Sequence, residues 1–80
     1  MNEKKKAGRP VGRPPATATR KRILDAAETL FAERGFDGVT VRQITAEAGV
    51  DTALAHHHFG SKQDLFARVL LRRAEVHMKE

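Results

Sequence analysis

Apolar residues recur every three or four positions over much of the chain, a spacing typical of amphipathic helices. The first helix is predicted to begin near Thr17 or Thr19 and to end at Arg34, before Gly35. Its apolar face comprises Ile23, Ala27, Leu30 and Phe31. A long helix after Ser61 has the same spacing, and its predicted buried face comprises Leu65, Phe66, Val69 and Leu70. No segment shows a strand pattern, so we expect an all-α fold.

A capping box predicts the start of a short helix in the middle of the chain. Thr40 can accept a hydrogen bond from the backbone of Gln43, whose side chain can accept one from the backbone of Thr40. Val39 and Ile44 occupy the two positions of a hydrophobic staple around this cap. We therefore expect a helix over residues 41–48.

A second short helix is predicted after a glycine turn. Gly49 should end the preceding helix, because glycine enters the left-handed conformation without a Cβ penalty. Asp51 or Thr52 can cap the next helix, which should end near Phe59 before Gly60. Two short helices joined in this way form a helix-turn-helix, whose second helix can lie in the DNA major groove.

The composition is that of one small domain. A chain of 80 residues is short for more than one core, and without cysteine it has neither disulfides nor thiolate metal sites. No apolar run approaches the ~18 residues of a membrane span, and the start is too polar for a secretory signal. We therefore expect a cytoplasmic protein with no membrane partner. Its predicted fold is a compact, homeodomain-like bundle of about four helices.

The positive charge is concentrated at the N-terminus. The net charge of the chain is +5. Residues 1–22 carry eight Lys or Arg and one acid, which gives +7, whereas residues 23–80 carry seven Lys or Arg and nine acids, which gives −2. Three prolines and two glycines within residues 7–16 exclude a helix there. We expect residues 1–18 to form a disordered basic arm and residues 19–80 to form the folded domain.

The arm contains Gly-Arg-Pro twice, around Arg9 and Arg13. An extended segment of this kind is narrow enough to enter the minor groove, where arginine is attracted by the negative potential of A-tracts. The triplet resembles the core of the AT-hook, although Ala7 and Val11 stand where that motif usually has arginine. Arg9 and Arg13 are therefore predicted minor-groove contacts.

Beyond the arm, residues 19–78 resemble the DNA-binding domain of TetR-type bacterial transcriptional repressors. The segments that carry the resemblance are residues 23–27 (ILDAA), 30–36 (LFAERGF), 40–44 (TVRQI), 48–50 (AGV), 58–59 (HF), 62 (K) and 65–66 (LF). In that family the third helix contacts the major groove, and the fourth leads into an effector-binding, dimerising domain. That second domain is absent from this sequence, so its inducer is unknown.

The resemblance implies a groove-facing set in the third helix, hereafter the groove set: Thr52, Ala53, Leu54, His56 and His57. Ala53 allows close approach to the DNA, and Leu54 can contact a thymine methyl group unless it belongs to the core. His56 stands where the family usually has a tyrosine that touches phosphate. His57 is the first candidate for a hydrogen bond to a base edge or a phosphate.

Three further residues are predicted to contact DNA from the flanking helices. Thr40 and Lys62 lie at helix N-termini, where they can bind phosphates, although Thr40 can also serve only as a cap. Arg42 can reach a phosphate or a guanine, or remain a solvated surface charge. Ala55 and Phe59 should face the opposite side of the third helix, toward the core.

The remaining chemistry indicates no catalytic, metal or cofactor site. Three consecutive histidines diverge around a helix, whereas helical metal pairs use i, i+4 spacing. His58 is expected to pack, half-buried, at the helix end. Ser61 has no evident base, and no phosphate loop or dinucleotide fingerprint occurs, so we do not expect an enzyme.

The expected partners are double-stranded DNA with a near-palindromic operator and, in the full-length protein, a second copy that forms a homodimer. Two alternatives remain open. In an architectural binder, the arm would bind A·T-rich tracts and the helices would be a spacer. In a helical protein-interaction module, the apolar face of the fourth helix would bind a partner protein.

Overall fold

Four helices account for the regular structure of residues 15–78, the part of the chain that the computed structural model describes. They are α1 (Ala16–Arg34), α2 (Val41–Ala48), α3 (Thr52–Phe59) and α4 (Lys62–Met78). Every regular element in this range is an α-helix, and α2 and α3 have the predicted bounds, so the all-α prediction is confirmed. None of these helices has the combination of length and apolar character required to cross a bilayer.

α1 begins earlier than the sequence predicted. It starts at Ala16, directly after Pro15, so residues 16–18 are helical and do not belong to the arm as predicted. Pro15 has a φ of −58°, and its carbonyl accepts a hydrogen bond from the backbone of Thr19 at 3.0 Å. Proline suits a helix start because its fixed φ is helix-compatible. Arg9 and Arg13 lie outside the described residues.

The core lies where α1 crosses the other three helices. All four residues predicted for the apolar face of α1 are buried, as are both residues of the predicted hydrophobic staple, Val39 and Ile44. Three phenylalanine rings extend this core: the Phe31 and Phe36 rings stack with centroids 5.9 Å apart. Phe66 meets Phe31 edge-on at 5.0 Å and Phe36 at 5.1 Å. Aromatic pairs in such arrangements stabilise a fold beyond their buried area.

The predicted buried face of α4 was wrong at one position. Leu65 and Val69 are buried and Phe66 packs against the core, but Leu70 is 51% exposed. Leu65 and Val69 lie one turn apart and form the stripe that faces α1, and Phe66 and Leu70 are both rotated by about 100° from that stripe. Phe66 meets the rings of Phe31 and Phe36, whereas Leu70, one turn further along, is not among the side chains packed against the core. The next residue, Leu71, is 56% exposed as well.

Ion pairs join α1 to α4 on the outside of the bundle. The Arg72 guanidinium contacts the carboxylates of Asp25 (2.8 Å) and Glu28, and Arg73 contacts Glu28 at 3.0 Å. The Lys21 ammonium also holds Asp25, at 2.9 Å. Hydrogen bonds from Lys21 first, and then from Arg72, keep the pKa of Asp25 below its ordinary value, against the opposing effect of burial. These pairs link α4 to α1 outside the core.

Candidate nucleic-acid interface

The predicted capping box fixes the start of α2. The Thr40 hydroxyl accepts a hydrogen bond from the Gln43 backbone at 3.1 Å, and the Gln43 side chain accepts one from the Thr40 backbone at 3.0 Å. At the other end, Gly49 has φ 73° and ψ 33°, the left-handed conformation expected of it. The backbone of Val50 then donates to the Thr45 carbonyl at 3.0 Å, which turns the chain toward α3.

Two contacts attach the start of α3 to α2. The Asp51 carboxylate accepts a hydrogen bond from the backbone of Ala53 at 3.0 Å, so Asp51 is the cap rather than Thr52. The hydroxyl of Thr52 instead pairs with that of Thr45 at 2.9 Å. Thr45 is buried, and its hydroxyl also donates to the Arg42 carbonyl. This hydroxyl pair, which links the two helices of the helix-turn-helix, was not predicted from the sequence.

α3 turns one side to the core and leaves the other accessible. Ala55 is 1% exposed, and Phe59 packs against the core, as predicted. Of the groove set, Ala53, His56 and His57 are exposed and Thr52 and Leu54 are half-buried. Leu54 is half-buried, is not among the apolar side chains that pack against the core, and lines a groove beside α1.

A groove separates the exposed side of α3 from the start of α1. Its walls include Ala16 and Arg22 from α1 and Leu54 and His57 from α3. The chain therefore enters the folded domain directly beside the groove set. Arg22, predicted only as part of the basic N-terminal charge, lies next to this set. No signal in the sequence could have placed it there, since the proximity depends on how α1 crosses α3.

Two of the three histidines of α3 lie together, and the third is turned to the end of the helix. His56 Nδ1 lies 3.1 Å from the carbonyl oxygen of Gly60, at the end of the helix. The rings of His57 and His58 meet edge-on with centroids 5.3 Å apart, and His58 is half-buried as expected. Among the described side chains, no three His, Asp or Glu residues are grouped to hold a metal ion.

The start of α4 is fixed by a second capping box. The Ser61 hydroxyl accepts a hydrogen bond from the Asp64 backbone at 3.1 Å, and the Asp64 carboxylate accepts from the Ser61 backbone at 3.0 Å and the Ser61 hydroxyl at 2.9 Å. The Ser61 backbone and hydroxyl thereby lower the pKa of Asp64. Lys62, the first residue of α4, has its ammonium 4.2 Å from the centre of the Phe36 ring.

The described cations fall into two groups. Lys21, Arg72 and Arg73 form ion pairs with the acids between α1 and α4. The other six described cations form no ion pair with any carboxylate of residues 15–75, and they are Arg20, Arg22, Arg34, Arg42, Lys62 and Arg68. Arg42 is exposed in the first turn of α2. Two of these six lie beside α3: Arg20 against the Phe59 ring and Arg22 in the groove.

Comparison with known proteins identifies the helical region. Residues 23–69 match the sequence profile described as "Bacterial regulatory proteins, tetR family". The HTH-type transcriptional repressor KstR2 of Rhodococcus jostii is 43% identical over 63 residues, 71% of this chain and 31% of the relative. The HTH-type transcriptional repressor AcnR of Corynebacterium glutamicum is 42% identical over 50 residues, 62% of this chain and 27% of the relative.

Solved structures agree with these relatives. HlyIIR, a hemolysin II transcriptional regulator, superposes with a TM-score of 0.66 and 36% sequence identity, over 69% of this chain and 31% of that chain. A HlyIIR mutant superposes with a TM-score of 0.71 and 34% sequence identity, over 72% of this chain and 32% of the mutant chain. The chain thus spans about a third or less of the length of the proteins it matches.

Proposed function

Because the chain belongs to the TetR family of bacterial regulatory proteins, we propose that it is the DNA-binding part of a transcriptional repressor. The observation that carries the proposal is the orientation of α3. Its buried side is held by Ala55 and Phe59, and its accessible side presents the groove set next to uncompensated cations. A helix fixed in this way can enter the major groove with its side chains already in place.

The proposed contacts divide by the part of the DNA that they touch. Ala53, Leu54 and His57 face base edges: Ala53 leaves room, Leu54 contacts a thymine methyl group, and His57 makes a hydrogen bond. His56 is assigned to a phosphate: its Nδ1 donates to the Gly60 carbonyl, so its other ring nitrogen donates to a phosphate oxygen only when both ring nitrogens carry a proton. Phosphate contacts position the domain without selecting sequence.

Phosphate contacts from α2 and α4 complete the proposed interface. Thr40 and Lys62 lie at the N-termini of these helices, where the helix dipole and the backbone N–H groups favour an anion. Arg42 in the first turn of α2 contacts a phosphate or a guanine. Thr52 supports the interface through its hydrogen bond to Thr45, which fixes the start of α3.

The arm adds contacts in the minor groove in this proposal. Arg9 and Arg13 lie in Gly-Arg-Pro triplets, and the chain joins α1 at Ala16, beside the groove set. An arm that starts there can reach the minor groove flanking the major-groove site. Its cations would release counterions from the DNA and increase affinity at low salt.

Repression requires two copies in this proposal. The matched relatives are about three or more times longer than the matched region, and we propose that the rest of such a protein dimerises and binds an inducer. Two tethered domains then occupy successive major grooves of a near-palindromic operator and block the promoter. A single domain should bind weakly, because tethering multiplies the affinity of two half-sites.

Selection of bound sites from a random duplex pool tests this function. We expect the chain to enrich a defined half-site, and His57→Ala to relax base preference at one or two positions by about 1–3 kcal/mol. Arg68→Ala on α4 is the control. Arg68 is an exposed cation, but Lys62 is the only residue of α4 that belongs to the proposed interface. Enrichment of A·T-rich tracts alone would favour the architectural binder, and no enrichment would contradict the proposal.

A further inference from the structure

Lys62 is held by an aromatic ring rather than by a carboxylate. Its ammonium lies 4.2 Å from the centre of the Phe36 ring, within the ~6 Å range of a cation–π interaction. No described carboxylate lies within ion-pair distance of this ammonium. Lys21 provides the contrast, because it pairs with Asp25 at 2.9 Å and its side chain is 74% exposed.

Phe36 cannot easily move away from this position. Its ring stacks on Phe31, which is buried in the core, and meets Phe66 edge-on. The backbone of Lys62 is fixed as well, because it directly follows Ser61 in the second capping box. Both ends of the Lys62–Phe36 contact are therefore anchored in the folded domain.

An aromatic ring holds an ammonium without cancelling its charge. A carboxylate partner would have to be displaced before a phosphate could bind, whereas the quadrupole of a ring leaves the full positive charge available. A free lysine side chain also loses rotamer entropy when it is fixed. Because the Phe36 ring holds Lys62 in the free protein, part of this entropy is lost before DNA binds.

We propose that Phe36 is a positioning residue that holds the Lys62 ammonium ready for an operator phosphate. This inference rests on the proposed DNA-binding function. It adds to that function a residue that lies before α2, outside the helix-turn-helix, and gives the three-ring cluster a role in binding as well as in the core.

The test is a double-mutant cycle measured by duplex binding over a range of salt concentrations. Phe36→Leu should weaken binding about 2- to 5-fold, the value of an exposed cation–π contact. It should not change the salt slope, since Lys62 still reaches phosphate once bound. Lys62→Ala should lower the slope by about 0.9. In the Lys62→Ala background, Phe36→Leu should have no further effect on affinity.

Phe66→Leu is the matched control, because it removes a ring that does not contact Lys62 while the stack of Phe31 on Phe36 remains to hold the Phe36 ring. We expect it to reduce thermal stability like Phe36→Leu without weakening DNA binding at a temperature where both variants are folded. Equal weakening by the two variants, or weakening by Phe36→Leu that persists without Lys62, would overturn the inference and assign Phe36 to core packing alone.

A measurement without DNA separates this inference from the proposed function. In the free protein, the Cε protons of Lys62 should show an upfield ring-current shift in NMR spectra that Phe36→Leu abolishes and Phe66→Leu retains. An unshifted Lys62 would refute the positioning role even if the chain binds its operator. A shifted Lys62 in a chain that binds no duplex would refute the DNA-binding function and, with it, the role of the contact in binding.

Discussion

At the scale of single residues, the helix-turn-helix is held by side chains that satisfy the backbone groups at helix ends. Thr40, Asp51 and Ser61 each accept a hydrogen bond from a backbone N–H in the first turn of a helix. Each helix start would otherwise leave unpaired donors. Because α2 and α3 are only eight residues long, neither is expected to be stable without these caps and the core.

Thr40→Val removes the hydroxyl of the cap while keeping the β-branched shape. We expect the free energy of unfolding to fall by about 1 kcal/mol, the usual cost of losing a cap. Chemical denaturation in urea measures this change. Thr40→Ser keeps the accepting oxygen and should remain close to the original stability; equal losses in both variants would mean that the hydroxyl is not what stabilises α2.

Residues whose partners are close in sequence could be predicted, and those with distant partners could not. The caps at Thr40 and Ser61 depend on residues three positions away, so the local sequence is sufficient to predict them. The contact between Lys62 and Phe36 depends on how α4 packs near the loop before α2. The DNA contacts themselves remain predictions that follow from the family resemblance and from exposure on α3.

At the scale of elements, α1 and α4 are joined by charge outside the core. Asp25 lies between Lys21 and Arg72, and both cations lower its pKa. Burial of Arg72 acts against its charged form, yet its hydrogen bonds to Glu28 and Asp25 raise the pKa of Arg72 above the ordinary value. The pairing of these helices therefore depends on ionised acids as well as on the stripe formed by Leu65 and Val69.

Asp25→Asn should remove a pH-dependent part of the stability. A carboxylate whose pKa is lowered on folding stabilises the fold above its ordinary pKa of 3.8, and that contribution disappears as pH falls below this value. We expect a loss of up to about 1 kcal/mol at pH 7, because the pairs are partly exposed. Urea denaturation at about pH 7 and about pH 2.5 should show the variant and the original chain converging at the lower pH.

Glu33→Gln is the control for this series. Glu33 is an exposed acid on the same helix and forms no ion pair with the described cations. Its replacement should leave the pH profile of stability unchanged. A difference between Asp25→Asn and the original chain that stays constant across this pH range would contradict an electrostatic origin.

The turn between α2 and α3 depends on the conformation of Gly49. A Cβ at this position would meet no heavy atom within 4 Å, so only the positive φ of 73° opposes substitution. We expect Gly49→Ala to lower the free energy of unfolding by about 1–2 kcal/mol. Gly49→Asn should cost less, since asparagine tolerates this conformation. Thermal unfolding compares the two, and equal costs would contradict a purely conformational effect.

Element types were easier to predict than element ends and faces. The bounds of α2 and α3 were correct because caps and glycines delimit them. The start of α1 was misplaced, since Pro15 permits a helix start without a side-chain cap. Leu70 was misassigned because helical spacing predicts which residues share a face of a helix, but not how much of that face another element covers.

At the scale of the whole molecule, charge is separated into a basic N-terminal segment and a slightly acidic domain. Within the described residues, acids neutralise the cations between α1 and α4 but not those around α3. An acidic domain that binds DNA must direct its remaining positive charge toward the phosphates. The basic segment is therefore expected to supply much of the non-specific affinity.

Deletion of residues 1–14 tests the contribution of the arm while leaving Pro15 and α1 in place. The salt dependence of binding should become shallower, by about 0.9 in slope for each phosphate that the arm no longer neutralises. Affinity at low salt should fall while the preferred half-site sequence is retained. Titration of a labelled duplex at several salt concentrations measures the slope, and an unchanged slope would show that the arm does not bind DNA.

The way α3 is anchored bears on how such a protein can change over time. Ala55 is its single fully buried residue, and Asp51 and Phe59 secure its two ends. Substitutions at the outward positions therefore cost little folding energy, since surface changes of this kind usually alter stability by less than about 0.5 kcal/mol. The outward-facing residues of α3 can therefore change during evolution, or be replaced by engineering, while the fold that holds the helix is retained.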